Sequence, residues 1–172
     1  MDLVLPYLQM LRDCLEGTLQ VNDVAAVRTF IAAGGPPAWD ICCQVGLAEG
    51  QAWVQLQSVV PTLNFPMPAP PGRGFAEWAV SVNLGVLRCA AVPDDQGNPP
   101  SEQAIANDVL KVSRDRLLMQ QTVECCFIQE LYDPDVCMIG AWTPLGPQGG
   151  CVGGQQNLTF PVPACSCSPA GS

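Results

Sequence analysis

The side chains able to do chemistry here are cysteines and carboxylates, because the chain has no histidine. Without an imidazole there is no Ser-His-Asp arrangement, no imidazole metal ligand and no ordinary proton shuttle near neutral pH. The ten cysteines include three close groupings, Cys42-Cys43, Cys125-Cys126 and Cys165-Ser166-Cys167. Zinc sites use pairs about two to four residues apart that converge on one ion. Adjacent cysteines on a strand point to opposite faces instead, and a C-x-C in a loose tail rarely makes half a site. A catalytic thiolate needs a base or a cation beside it. Arg88 adjoins Cys89, but neighbours on a strand diverge.

The carboxylate pairs are Asp94-Asp95 and Asp133/Asp135. Both sit in turn-forming surroundings, where Asp bonds the local backbone. Gly149 to Gly154 is glycine-rich, yet no Lys follows and it leads into a strand pattern. It reads as a turn or bulge needing positive φ, not as a phosphate loop. Asn157-Leu158-Thr159 fits a glycosylation sequon inside a strand pattern, which makes chance the better account. Trp142, in a Gly/Pro-rich segment, reads equally as a core anchor or a subunit-interface anchor. The expectation is a protein that is not an enzyme and holds no cofactor or metal.

The net charge is −9, with only seven Lys and Arg. Such a chain does not grip phosphate backbones, and it is not a polybasic membrane binder. No long apolar run is present to span a bilayer. No signal peptide is visible, since Asp2, Pro6 and Arg12-Asp13 interrupt the first apolar residues. Cysteine is less frequent than in disulfide scaffolds. The cysteines are therefore expected to be reduced, buried small hydrophobes in a cytosol-made protein.

The elements that would position these residues follow from periodicity. Residues 77–88 alternate: Trp78, Val80, Val82, Leu84 and Val86 share one face, and Ala79, Ser81, Asn83 and Gly85 the other. That is a half-buried strand. Pro93 to Pro100 is a turn cluster. Ser101 to Phe127 has helical spacing, with Ile105, Val109, Val112, Met119, Val123 and Phe127 in a stripe widened by Ala106, Leu110 and Leu117. Pro6 to Leu19 reads as a first helix, with Val4, Leu8, Leu11, Leu15 and Leu19 on one side. Val21 to Ala33 reads as a short helix closed by Gly34-Gly35.

Trp39 to Val45 reads as a short strand. Ala52 to Val60 alternates as a longer one. Pro61 to Gly74 is too proline-rich for a ladder and reads as a projecting loop between antiparallel strands. Cys137 to Trp142 reads as a short strand, Thr143 to Gly150 as a turn-rich segment. Gln155 to Val162 reads as a closing strand with Leu158, Phe160 and Val162 inward. The expected fold class is α+β: an antiparallel sheet of about four strands with helices packed on one face and long Pro/Gly-rich loops. One domain is expected over residues 1–162, with a helical arm at 1–50 and a flexible tail at 163–172.

The segment Trp78-Ala79-Val80-Ser81-Val82-Asn83-Leu84-Gly85-Val86-Leu87-Arg88-Cys89, the helix ending in Cys-Cys, and Trp142-Thr143-Pro144-Leu145-Gly146-Pro147-Gln148-Gly149-Gly150-Cys151-Val152-Gly153-Gly154 together resemble small head-to-tail connection proteins. These belong to long-tailed phages that infect actinobacteria. The order helix, strand, loop, strand, helix, strand is most similar to the tail terminators of the phage neck. The resemblance covers roughly residues 50 to 162.

What it implies is a virion structural protein, assembled in the host cytoplasm. Terminators form a homo-oligomeric, hexameric ring that caps the tail-tube protein and docks to the head connector or stopper. DNA passes through the lumen without specific binding, and an acidic lumen would let it slide. No membrane is involved. A ring needs two unlike adhesive surfaces on each copy. The candidates are the loop Pro61–Gly74, with Phe65, Met67 and Arg73, and the segment Trp142–Gly154, with Trp142, Leu145 and Gln148. Competing expectations are a stopper, a tail-tube subunit, a secreted disulfide-stabilised binding protein and a thiol enzyme.

Overall fold

The computed structural model describes residues 3–24, 28–34, 43, 50–70, 74, 76–131 and 137–164. The elements are α1 (Leu5–Val21), β1 (Arg28–Ala33), β2 (Gln51–Asn64), β3 (Met67–Pro68), β4 (Glu77–Cys89), α2 (Glu102–Thr122), β5 (Met138–Gln148) and β6 (Cys151–Pro163). The strands form one six-stranded mixed sheet in the order β1-β2-β4-β6-β5, with β3 paired to β2. β1 runs parallel to β2; the other pairs are antiparallel. The class is α+β. The sheet is larger than the expected four strands and is not purely antiparallel.

β4 and β6 are the spine. They pair over their full lengths, from Glu77↔Pro163 to Cys89↔Cys151. The alternation in the sequence is what the pairing uses: Val80, Val82, Leu84, Val86, Leu158, Phe160 and Val162 are all fully buried on one face. Both helices lie on that face. α1 starts at a proline, which costs nothing where the first N–H groups lack intrahelical partners. It turns Leu8, Leu11, Leu15 and Leu19 toward the sheet. α2 starts at Ser101, whose hydroxyl accepts from Ala104 N at 3.2 Å. It buries Val112, Leu118 and Met119. A π-helical turn at Val123–Phe127 and a 3-10 turn at Ile128–Glu130 continue it. Phe127 meets Phe160 edge-to-face, with centroids 5.0 Å apart.

The opposite face carries a smaller cluster of Trp53, Leu87 and Cys151, with Phe30 and Leu145 packed against it. Further along, the same face is polar. The side-chain amide of Asn157 lies within reach of Ser81 Oγ (3.3 Å), Val82 O (3.2 Å) and Asn83 Oδ1 (3.1 Å). The asparagine of the sequon is thus held inside the sheet's own hydrogen bonding.

Four expectations are corrected. The part of Val21–Ala33 described beyond Val24 is strand β1, not helix, because parallel pairing with β2, from Arg28↔Gln51 to Ala33↔Leu56, supplies the hydrogen bonds a short isolated helix would lack. The segment Pro61–Gly74 is not loop from its start. β2 continues through Pro61, opposite Trp78, to Asn64, and turns back through β3. Thr143–Gly150 is mostly strand: β5 reaches Gln148, and only Gly149-Gly150 turns, both at positive φ (58° and 77°). Pro144 and Pro147 are tolerated because β5 is the edge of the sheet.

Cysteine is the fourth. Cys14 is disulfide-bonded to Cys126, and Cys43 to Cys89; Cys151 is disulfide-bonded as well. The partners are 112 and 46 residues apart in sequence, so only the fold brings them together. Cys14–Cys126 ties α1 to the π-helical turn; Cys43–Cys89 closes over the end of β4. Among the described residues Cys125 and Cys137 are free. The expected strand at Trp39–Val45 and the tail from residue 165 lie outside the described residues.

Candidate assembly surfaces

Asp94, Asp108 and Asp115 are occupied structurally. Asp94 accepts from Gln96 N, Asn98 N and Asn98 Nδ2 at 2.8–3.0 Å. The Asn98 side chain, then the Asn98 backbone, holds its carboxyl below the usual range. Asp108 accepts from Ala91 N at 2.6 Å and from Lys111 Nζ at 3.3 Å. Asp115 is buried and takes a two-pronged pair from Arg88, both contacts at 2.8 Å. Arg88 therefore points to the helices while its neighbour Cys89 bonds Cys43, as strand alternation requires. Burial pushes the Cys137 thiol up to about 11, so it stays protonated at neutral pH. Asp133 and Asp135 lie outside the described residues. Among the described residues no three His, Cys, Asp or Glu side chains gather in a way that could hold a metal ion. None of their helices is long and apolar enough to cross a membrane.

What the molecule does present is apolar surface, and two stretches of it contain the expected interface residues. The first is the tip of the β2–β4 hairpin. Leu63 and Met67 are exposed there and Phe65 is half-buried. The turn is fastened by Thr62, whose hydroxyl donates to Met67 O at 2.6 Å and accepts from Asn64 N at 3.1 Å.

The second is a groove of ≈ 750 Å³ between α2 and the β5–β6 hairpin, bounded also by residues 90–93. Val112, Val152 and Trp142 line it, with Ile105, Val109 and Val92 exposed along its lip. Trp142 fits because its partner strand has glycine at 154. A Cβ there would collide with the indole ring. The indole nitrogen is buried, with no hydrogen-bond partner among the described residues. β5 forms the outer wall; it pairs with β6 on one side, and among the described residues no strand pairs with its other edge.

The expected interface residues divide between these places. Phe65 and Met67 are at the tip. Trp142 and Leu145 line the groove, and Gln148 is exposed at the end of β5. Arg73 lies outside the described residues. The two groups stand at opposite ends of the sheet: Thr62 pairs with Glu77 at the start of β4, and Cys151 with Cys89 at its end.

The expected stripe of α2 is corrected in part. Ile105, Val109, Leu110 and Leu117 are exposed, not core. One signal in the sequence pointed to this. Ile105 with Val109, and Ala106 with Leu110 and Leu117, spread over more of the helix than one sheet can cover. No family model matches the chain, and no curated protein sequence does.

Proposed function

We propose that this protein is a structural subunit of a phage neck, a tail terminator that forms a ring, caps the tail tube and docks to the head connector or stopper. One observation carries the reading. Each copy has two unlike apolar surfaces at opposite ends of one sheet, which is what closure of identical head-to-tail contacts into a ring requires. The resemblance of residues 50 to 162 to terminators supports it, and α1, β2, β4, α2 and β6 follow one another as helix, strand, strand, helix, strand. The charge of −9 suits a lumen along which DNA slides. Ring subunits have no need of the catalytic groups this chain lacks, such as histidine.

The test is a tube-growth assay. Added to polymerising tail-tube protein, a terminator stops elongation and stays at one end of each tube. A tail-tube subunit lengthens tubes, and a stopper binds only tubes already capped. Continued elongation with no protein at the tube ends contradicts the terminator reading.

The disulfides favour a second reading, a secreted, disulfide-stabilised binding protein, because bonded cysteines persist in oxidising surroundings. A virion meets the same surroundings after release, so in the neck reading the bonds close late. Thiol counts on particles and on the freshly made protein separate the two. Free thiols in the cell and bonds in the virion fit the neck; bonds formed during secretion fit the alternative.

A further inference from the structure

Both surfaces are apolar, and they lie on different parts of the sheet. We propose that the β2–β4 hairpin tip of one copy seats in the groove between α2 and the β5–β6 hairpin of the next copy, against Trp142. This rests on the assembly reading above and names the contact that would build it.

The occupant follows from charge and reach. The groove is apolar, and its one carboxylate, Asp108, is already held by Ala91 N and Lys111. It therefore takes a neutral, apolar guest. Residues 58–72, around the tip, contain no charged residue. In a chain of net charge −9, contacts that bring acidic side chains together oppose self-association. The tip meeting the groove is a contact that avoids this.

A copy cannot fill its own groove. The tip lies at the start of β4 and the groove at its end. Trp142 is level with Leu84 through Gln156, seven residues along β4 from Glu77, so at about 3.3 Å per residue the strand alone keeps the tip more than about 20 Å from it. The contact is therefore between copies, and it is head-to-tail.

Two details suit the fit. Thr62 fastens the turn before binding, so little conformational freedom is lost on docking. The tip carries Pro61, Pro66, Pro68 and Pro70. Prolines keep their carbonyls and lack N–H, so the turn is rich in acceptors. The groove wall holds a buried donor, Trp142 Nε1, with no acceptor among the described residues.

The experiment is a complementation by mass. Met67→Asp removes the tip and leaves the groove; Val109→Asp does the reverse. Both residues are more than half exposed, and circular dichroism and urea unfolding check that both variants keep the wild-type fold. Light scattering should find wild-type assemblies and each variant alone monomeric, with self-association weakened at least about tenfold. Mixed, the two should give a one-to-one heterodimer and nothing larger, since only one intact tip and one intact groove remain. Folded variants that assemble like the wild type overturn the contact but leave the ring reading standing. A mixture that stays monomeric overturns it too. Open filaments of wild type, lost in each variant, would uphold the contact and refute the terminator. A wild type monomeric at every concentration, with or without tubes, overturns both.

Discussion

Trp53 and Trp142 use the same device on opposite faces of one sheet. Trp53 on β2 lies over Gly85 of β4; Trp142 on β5 lies over Gly154 of β6. Each glycine is where a Cβ would strike the indole, and each indole nitrogen is buried with no partner among the described residues. The surroundings differ. Trp53 is 1% exposed and sealed with Leu87 and Cys151. Trp142 stands half-buried in the wall of an open groove. An aromatic over a glycine is thus a way of laying a large ring on a sheet. Whether it closes a core or opens a docking surface depends on what covers it.

The comparison predicts a split between stability and assembly. Trp53→Ala should cost about 3–5 kcal/mol, as expected for emptying a sealed site, read by urea unfolding. Trp142→Ala should cost clearly less in the same experiment while weakening self-association. Equal losses of stability would erase the distinction.

Next in size is the tie between α2 and the sheet at the groove end. Asp115→Asn leaves Arg88, whose side chain is 13% exposed, without its charged partner. A loss of about 3 kcal/mol follows. A loss under about 1 kcal/mol would mean that water reaches the pair and that the tie of α2 to the sheet is looser than described.

Reducing the Cys14–Cys126 bond should cost about 3–5 kcal/mol, since it closes a long loop. It should act on unfolding and leave the groove's affinity unchanged, because the bond joins α1 to the π-helical turn. Loss of assembly on reduction at a denaturant-free pH 7 would tie the two regions together.

The smallest effect concerns thiols. Exposed Cys125 should alkylate at pH 8 well ahead of Cys137, whose burial raises its pKa to about 11. A raised thiol pKa means the folded state holds its proton longer than the unfolded chain. The associated stability is full below pH 9 and falls as pH rises toward 11. Cys137 labelling as fast as Cys125 would contradict that burial.

The parts legible in the sequence were those where one residue type reports one environment. In β4 and β6 strict alternation names the core face residue by residue, and α1 does the same at a spacing of three and four. β1 was illegible because six residues with Phe30 and Ile31 carry no period of their own; the parallel partner β2 decides the state. β5 was hidden by Pro144, Gly146 and Pro147, which read as turn until the strand's place at the edge is known. The disulfides depend on contacts across 112 and 46 residues, beyond any local pattern. Of the groove, Trp142 stood out as an aromatic in a Gly/Pro-rich segment and Leu145 as an interface candidate. For Ile105 and Val109 only the width of the apolar spread gave a hint, because an apolar helix residue looks the same whether it faces its own core or another molecule.

The most direct test of head-to-tail assembly is the native mass of the purified wild-type protein by light scattering across concentration. A single discrete assembly of about six subunits, appearing alone or on addition of tail tubes, is the predicted result, as closed heterologous contacts require. A mass that stays at one chain under every condition contradicts it.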